Sequence, residues 1–233
     1  MSLRFTFNNH ENLKSQHALF SPSQSAWLRY EDDKIADRIL NQYRAAIGTE
    51  IHEFAAQQIE MRHKQSSIKS VKDGVEDYIY TKYKFSNSKQ EVSDKAKTLI
   101  DNVGYLPKEV FETVKFYVND GIGFGMRPEQ IVWYSDNVFG TADAIIFKGN
   151  QLRIHDLKTG AVPAHMEQLE SYAALFCLEY RIKPSDINIE LRIYQSDGIM
   201  VHNPTVEDIV PIMDKIISID KIALGIEKER RYE

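Results

Sequence analysis

Asp143, Asp156 and Lys158 are the residues of this 233-residue chain whose types and spacing best suit chemistry. Asp143 closes the run Phe139-Gly140-Thr141-Ala142-Asp143, and the other two lie in Ile154-His155-Asp156-Leu157-Lys158-Thr159-Gly160. Between them, Gly149-Asn150 separates two strand-like stretches and signals a two-residue hairpin, with glycine supplying the positive φ that such a loop requires. If Lys148 pairs with Gln151, the register carries Asp143 directly opposite Asp156. Strand alternation also sets Leu152, Ile154, Asp156 and Lys158 on one face. Directly opposed carboxylates have Cβ atoms about 5 Å apart and destabilise a ladder. A cation between them removes the repulsion. A divalent ion with oxygen ligands fits that role, with Lys158 one step further along the same face. The plainer reading is a surface Asp–Lys pair beside an unrelated aspartate, and spacing alone leaves both open.

The elements that must position these groups follow from periodicity. Phe20-Ser21-Pro22-Ser23-Gln24 opens a helix, with Ser21 as cap and Pro22 at the first helical position. A long helix is predicted from about Asp32 to Arg62, carrying Ile35, Ile39, Tyr43, Ile47, Ile51, Phe54 and Ile59 at helical spacing. Further helices fill Ile68 to Asp120, broken near Ser86-Asn87-Ser88 and Gly104-Tyr105-Leu106-Pro107. After Gly121-Ile122-Gly123-Phe124-Gly125, read as a flexible hinge, the pattern changes. Gln130 to Tyr134, Val138 to Lys148 and Gln151 to Lys158 suit strands. A helix is expected from Pro163 to about Arg181. Ile187, Ile189, Leu191 and Ile193 then alternate as in a half-buried strand. A closing helix gathers Val206, Ile209, Val210, Met213, Ile216 and Ile217 on one face. The fold expected is one α/β domain over residues 1–233, a mixed β-sheet flanked by helices, with a helical elaboration at about 68–125.

The aspartates and lysine in this setting resemble the PD-(D/E)XK nuclease superfamily, whose core is restriction-endonuclease-like. Three further motifs resemble its RecB-like branch, which includes phage exonucleases: Gly48-Thr49-Glu50-Ile51-His52, Gln168-Leu169-Glu170-Ser171-Tyr172, and Phe20-Ser21-Pro22-Ser23. The resemblance covers roughly Ser21 to Gln195; no motif of it falls between about Ile68 and Gly125. It implies that Asp143 and Asp156 bind Mg²⁺ or Mn²⁺, helped by the Leu157 carbonyl, and that His52 completes the metal shell. It also implies that Lys158 orients or helps deprotonate a water and stabilises transition-state charge. Gln168 and Tyr172 share a helix face and suit holding nucleic acid or Lys158, with plain core packing the alternative for Tyr172. Glu129, just before the first core strand, is either a further metal or outer carboxylate or a surface glutamate.

Composition narrows the classes. With 42% hydrophobic and 27% charged residues, the chain reads as globular, and no run approaches the ~20 apolar residues of a membrane span. The N-terminus lacks a secretory h-region, and Cys177 is the one cysteine, which excludes an internal disulfide, a Cys-based zinc site and the four-cysteine iron–sulfur members of the resembled family. A cytoplasmic setting is expected, the host's if the chain is phage-encoded. His52-Glu53 lacks a second zincin histidine, and the glycines at 121–125 lack the lysine of a phosphate loop. The net charge is −5, but from Glu60 to Lys97 nine Lys/Arg face six acids, a local +3. That stretch is either a solvated helical face or a nucleic-acid contact through residues such as Lys82, Lys84 and Lys89. The expected activity is a metal-dependent DNase, an exonuclease of phage-type recombination or DNA processing. An endonuclease and a catalytically silent nucleic-acid binder are the alternatives. By resemblance, a single-strand annealing protein and a ring-forming homo-oligomer are the expected partners besides DNA.

Overall fold

Six α-helices and five strands occur among the residues that the computed structural model describes, namely 8–9, 18–84, 89–160, 162–195 and 198–230, the side chains of 89–93 excepted. In order they are α1 (Asp32–Glu60), α2 (Ile68–Tyr83), α3 (Lys89–Val103), α4 (Lys108–Phe124), β1 (Arg127–Ser135), β2 (Val138–Lys148), β3 (Gln151–Leu157), α5 (Glu167–Tyr180), β4 (Asn188–Gln195), β5 (Gly198–His202) and α6 (Val206–Arg230). The expected α/β class, with a mixed sheet and a helical N-terminal region, is what the chain adopts.

Two compact units divide at Arg44/Ala45. In the first, the expected helix opens at Pro22, as a 3₁₀ segment, Pro22–Arg29, kinked at Gln24. The Ser21 side chain does not cap it; its Oγ bonds Ser23 Oγ at 2.8 Å. Trp27 holds the turn by donating its indole N–H to the Ser21 carbonyl at 2.9 Å.

The second unit is built on the sheet, in the order β1-β2-β3-β4-β5. β1, β2 and β3 form an antiparallel meander, β4 runs parallel to β3 and β5 returns antiparallel to β4. The parallel step needs a crossover, and α5 supplies it. Gly149 adopts φ +66° in the two-residue loop, and Lys148 pairs with Gln151 as expected. Each face of the sheet carries its own core. On one, α1 to α4 bury Ile51, Val75, Val103 and Val114 over Ala144, Leu157 and Tyr194. On the other, α5 and α6 bury Leu169, Ala173 and Ile209 over Leu152, Ile154, Leu191 and Ile193. At roughly 2 kcal/mol per fully buried aliphatic side chain, this packing, rather than helix propensity, holds the elements in place.

Local signals set the helix ends. Ser67 and Ser70 form a reciprocal capping box at the start of α2. The stretch 121–125 is not a hinge: it is the last turn of α4, closed by Gly125 at φ +74°. Gly121 is packed so tightly there that a Cβ would meet Ile59 at 2.8 Å. α5 starts at Glu167, four residues after the expected Pro163. β5 was not expected, and Val206 and Val210 of α6 are exposed while Ile209 and Ile216 are buried.

Candidate active site

The ladder between β2 and β3 runs from Lys148↔Gln151 to Ala144↔His155 and stops there. Asp143 and Asp156 therefore face each other one step beyond the last pair, not as a ladder pair. In place of a ladder bond, Asp143 Oδ2 accepts the Leu157 N–H at 2.9 Å. On its other side, the β1–β2 pairing passes from Pro128↔Ala144 to Gln130↔Ala142, skipping Asp143. Opposite this gap Glu129 sits in the left-handed region at φ +50°, a conformation costing a side-chain-bearing residue about 1–2 kcal/mol. Residues two apart on a regular strand share a face. Ala144 instead packs in the core under α1 and α4, and Ala142 in the core under α5. The alternation slips at Asp143, and the slip turns its carboxylate toward the end of β3.

Asp156 is buried, and Lys158 Nζ is its cation. The ammonium donates to Oδ1 at 3.1 Å and stands 3.0 Å from Oδ2, at an angle that leaves Oδ2 without a hydrogen bond. Burial and then the negative charge of Asp143 push the Asp156 carboxyl up to about 6, against the opposing pull of Lys158 and His52. Lys158 lies just past the end of β3, where its N–H bonds the Tyr194 carbonyl at 2.8 Å. Its ammonium also donates to Gln168 Oε1 at 3.0 Å, and Gln168 Nε2 donates to the Tyr172 hydroxyl at 3.1 Å. The i, i+4 pair on α5 thus steers Lys158. Tyr172 is half-buried and rests where Gly140 has no side chain; a Cβ there would meet its ring at 2.7 Å.

On α1, His52 Nδ1 stands 3.4 Å from Asp143 Oδ2. Gly48, one turn earlier, lets the helix come close: a Cβ would fall 2.9 Å from Thr159 Oγ1. The rotation of α1 is held from α2. Lys82 Nζ donates to Glu50 Oε2 at 2.9 Å and also to Glu53, while Tyr83 and Tyr78 donate their hydroxyls to Glu50 and Glu53, each at 2.6 Å. Burial and the bond to Glu50 raise the Tyr83 phenol to about 12. Burial works against the charge on Lys82, but its two carboxylate partners outweigh it and raise its pKa. Lys82 is therefore held between two carboxylates within the fold. Lys69 pairs with Asp73, Lys72 with Glu76, and Lys95 lies 4.4 Å over the Tyr83 ring. The side chain of Lys89 lies outside those described.

Glu129 lies within β1, not before it. Partial burial, then the charges of Asp143 and Glu53, raise its carboxyl above the ordinary value, so the three acids share one electrostatic neighbourhood. Leu157 contributes its N–H to Asp143 and buries its side chain in the core. Among the described residues, no three His, Cys, Asp or Glu side chains are already drawn together as a ready metal cluster. The donor set nonetheless fits a hard divalent cation. It offers two facing carboxylates, one with a buried oxygen lacking a hydrogen bond, and an imidazole beside the other. Such an ion would relieve both the repulsion and the orphaned oxygen.

Sequence reasoning did not reach the Glu50–Lys82–Tyr83 anchor: Glu50 lies in the helical motif that ends at His52, but Lys82 and Tyr83 are 32 and 33 residues away and belong to no motif. Nor did it reach His155, which alternation sets on the face opposite Asp156. His155 is fully buried between Phe124 and Tyr194, its Nε2 without a partner. Burial, then Arg192 and Arg153, push it down to about 3, so it is neutral. Arg153 and Arg192 lie over the Phe124 ring at 4.7 and 4.8 Å, and both bond Glu190. A family model described as "Protein of unknown function (DUF2800)" matches residues 17–207. No curated protein and no solved structure matches the chain.

Proposed function

We propose that this chain, which belongs to the DUF2800 family of proteins of unknown function, is a divalent-metal-dependent DNA nuclease of the PD-(D/E)XK type. The observation that carries the reading is the splayed end of the β2–β3 hairpin. It holds Asp143 and buried Asp156 face to face, with Lys158 on one and His52 beside the other. Mg²⁺ or Mn²⁺ held by Asp143, Asp156 and His52 would supply charge neutralisation at a scissile phosphate and acidify a water. The chain's own groups do the rest. Asp143 is fixed by the Leu157 N–H, so it does not reorganise when a ligand arrives. Lys158 is steered by Gln168 toward the same space, where its ammonium orients the attacking water and balances the charge that grows on the phosphate oxygens. Glu129 joins as an outer carboxylate.

Within this reading the chain works as an exonuclease in recombination or DNA processing of the phage type. A single-strand annealing protein and further copies of the chain would be its partners, and the cytoplasm its place. No helix among the described residues is long and apolar enough to cross a membrane. The buried Cys177 thiol, raised to about 11 by burial, is inert and suits a reducing compartment. Incubation with linear and circular DNA, with and without Mg²⁺, tests the proposal. Metal-dependent loss of linear DNA alone is the expected result. Nicked circles would make it an endonuclease, and a metal-insensitive gel shift without cleavage would leave a binding module.

A further inference from the structure

We propose that the free edge of β5, with the cavity beside it, is a docking site for an extended, lysine- or arginine-bearing segment of a partner protein, which joins the sheet as a sixth strand. Among the described residues β5 ends the sheet order, so one of its edges has no strand partner among them. Natural edges are blunted by lysine, proline or a bulge. The residues Gly198-Ile199-Met200-Val201-His202 carry none of these, and Ile199, Met200 and Val201 are 41%, 43% and 53% exposed. Three consecutive exposed apolar residues on an unpaired edge are unusual for a strand with no partner to cover them.

The chemistry of the occupant is written beside the edge. Pairing of Tyr194 with Ile199 and of Arg192 with Val201 sets Ile199 and Val201 on the α4 face of the sheet. A cavity of about 410 Å³ opens on that face, floored by Phe116, Tyr194 and Ile199 and walled by Glu109 and Glu112 of α4. The α4 dipole favours Glu109 in its first turn, whereas Glu112 lies beyond that turn. No ion pair found among the described residues includes either glutamate. A strand added to β5 would turn every second side chain toward this cavity. Lysine or arginine fits those positions: the alkyl stem lies on Phe116 and Ile199, and the head reaches the two carboxylates. A second copy of this chain fits less well, because its own β5 contains no lysine or arginine to offer them.

The inference is independent of the nuclease reading, and its test uses the full chain with no DNA. A fluorescein-labelled peptide alternating Lys and Val is titrated by anisotropy, alongside a Glu/Val counterpart and a Lys/Pro peptide that cannot form a strand. The Lys/Val peptide should bind saturably and the other two weakly. The double reversal E109K/E112K, at an exposed and a half-buried position, should lower Lys/Val affinity by about tenfold or more and admit the Glu/Val peptide instead. Val201→Lys should weaken binding without changing the circular dichroism spectrum. Absent saturable binding, equal binding of the Lys/Pro peptide, or affinity untouched by the charge reversal would each overturn the proposal. So would a chain dimer in sedimentation that Val201→Lys dissolves, since the second copy would then be the occupant.

Discussion

Replacing Asp156 by asparagine should stabilise the metal-free protein while abolishing its metal response. The Asp156 side chain is only 3% exposed and faces Asp143, and these two facts raise its carboxyl from the ordinary 3.8 to about 6. A rise of roughly 2 units corresponds to about 3 kcal/mol of disfavoured ionisation in the folded state. The folded form holds the proton more tightly than the unfolded chain does. The contribution of Asp156 to stability is therefore full below about pH 4 and lost as pH rises through about 6. Asparagine keeps the volume and an oxygen for Lys158 but has no charge to lose. After allowing for a weaker Lys158 contact, the variant should gain about 1–2 kcal/mol at pH 7.5 and close to nothing at pH 4. Urea unfolding in EDTA at both pH values reads this directly. Added Mg²⁺ should then raise the midpoint of the parent and leave the variant unmoved. A variant less stable than the parent at pH 7.5, or a difference independent of pH, would refute the account of Asp156 as a strained, cation-seeking carboxylate.

Lys158→Met keeps both carboxylates and most of the alkyl stem, so calorimetric metal binding should survive while cleavage falls by about 10²- to 10³-fold. Full activity in this variant would sink the nuclease reading of the hairpin. His52→Ala should leave maximal cleavage within reach but shift the Mg²⁺ titration to higher concentration; an unshifted titration makes the histidine structural. Gly48→Ala drives a methyl group to within 2.9 Å of Thr159 Oγ1 and should mimic His52→Ala by pushing α1 away, with Thr159→Ala in the same chain restoring the parent titration. Lys82→Met leaves Glu50, 5% exposed, without its cation, and should cost about 3 kcal/mol in urea unfolding. Lost DNA affinity at unchanged stability would instead return Lys82 to the substrate.

The parts of the fold legible in the sequence are those whose signals are local. Gly149-Asn150 sets the hairpin register from two residues, and strict alternation around Ile189, Leu191 and Ile193 marks β4 from its own pattern. The rest depends on partners far along the chain. Pro163 looks like a helix start, yet α5 waits until Glu167, because Gln195 ties down the intervening loop. Its amide donates to the Gly160 and Val162 carbonyls at 2.8 and 2.7 Å and accepts from the Ala164 N–H at 3.3 Å. β5 shows no alternation and draws its order from β4 alone. The glycines at 121–125 read as freedom, but one is wedged against Ile59 and another caps a helix. Glycine spacing does not distinguish a hinge from a close contact.

The candidate site follows the same division, and the division explains its construction. Extending the hairpin register by one step brings Asp143 to Asp156, and that step is where the ladder fails. A buried and a half-buried carboxylate in a regular pair would repel with nothing to hold them. Here the backbone yields first. Asp143 takes the Leu157 N–H, Glu129 turns left-handed across from it, and β2 slips its alternation between Ala142 and Ala144. Lys158 stands beside both oxygens of Asp156 but hydrogen-bonds only Oδ1, leaving Oδ2 without a hydrogen bond. These distortions cost stability, and the α1 anchor at Glu50, Lys82 and Tyr83 opposes their collapse by keeping His52 turned toward Asp143. Periodicity predicts regular strands, so it brings the two aspartates to adjoining positions and cannot see the irregularity between them.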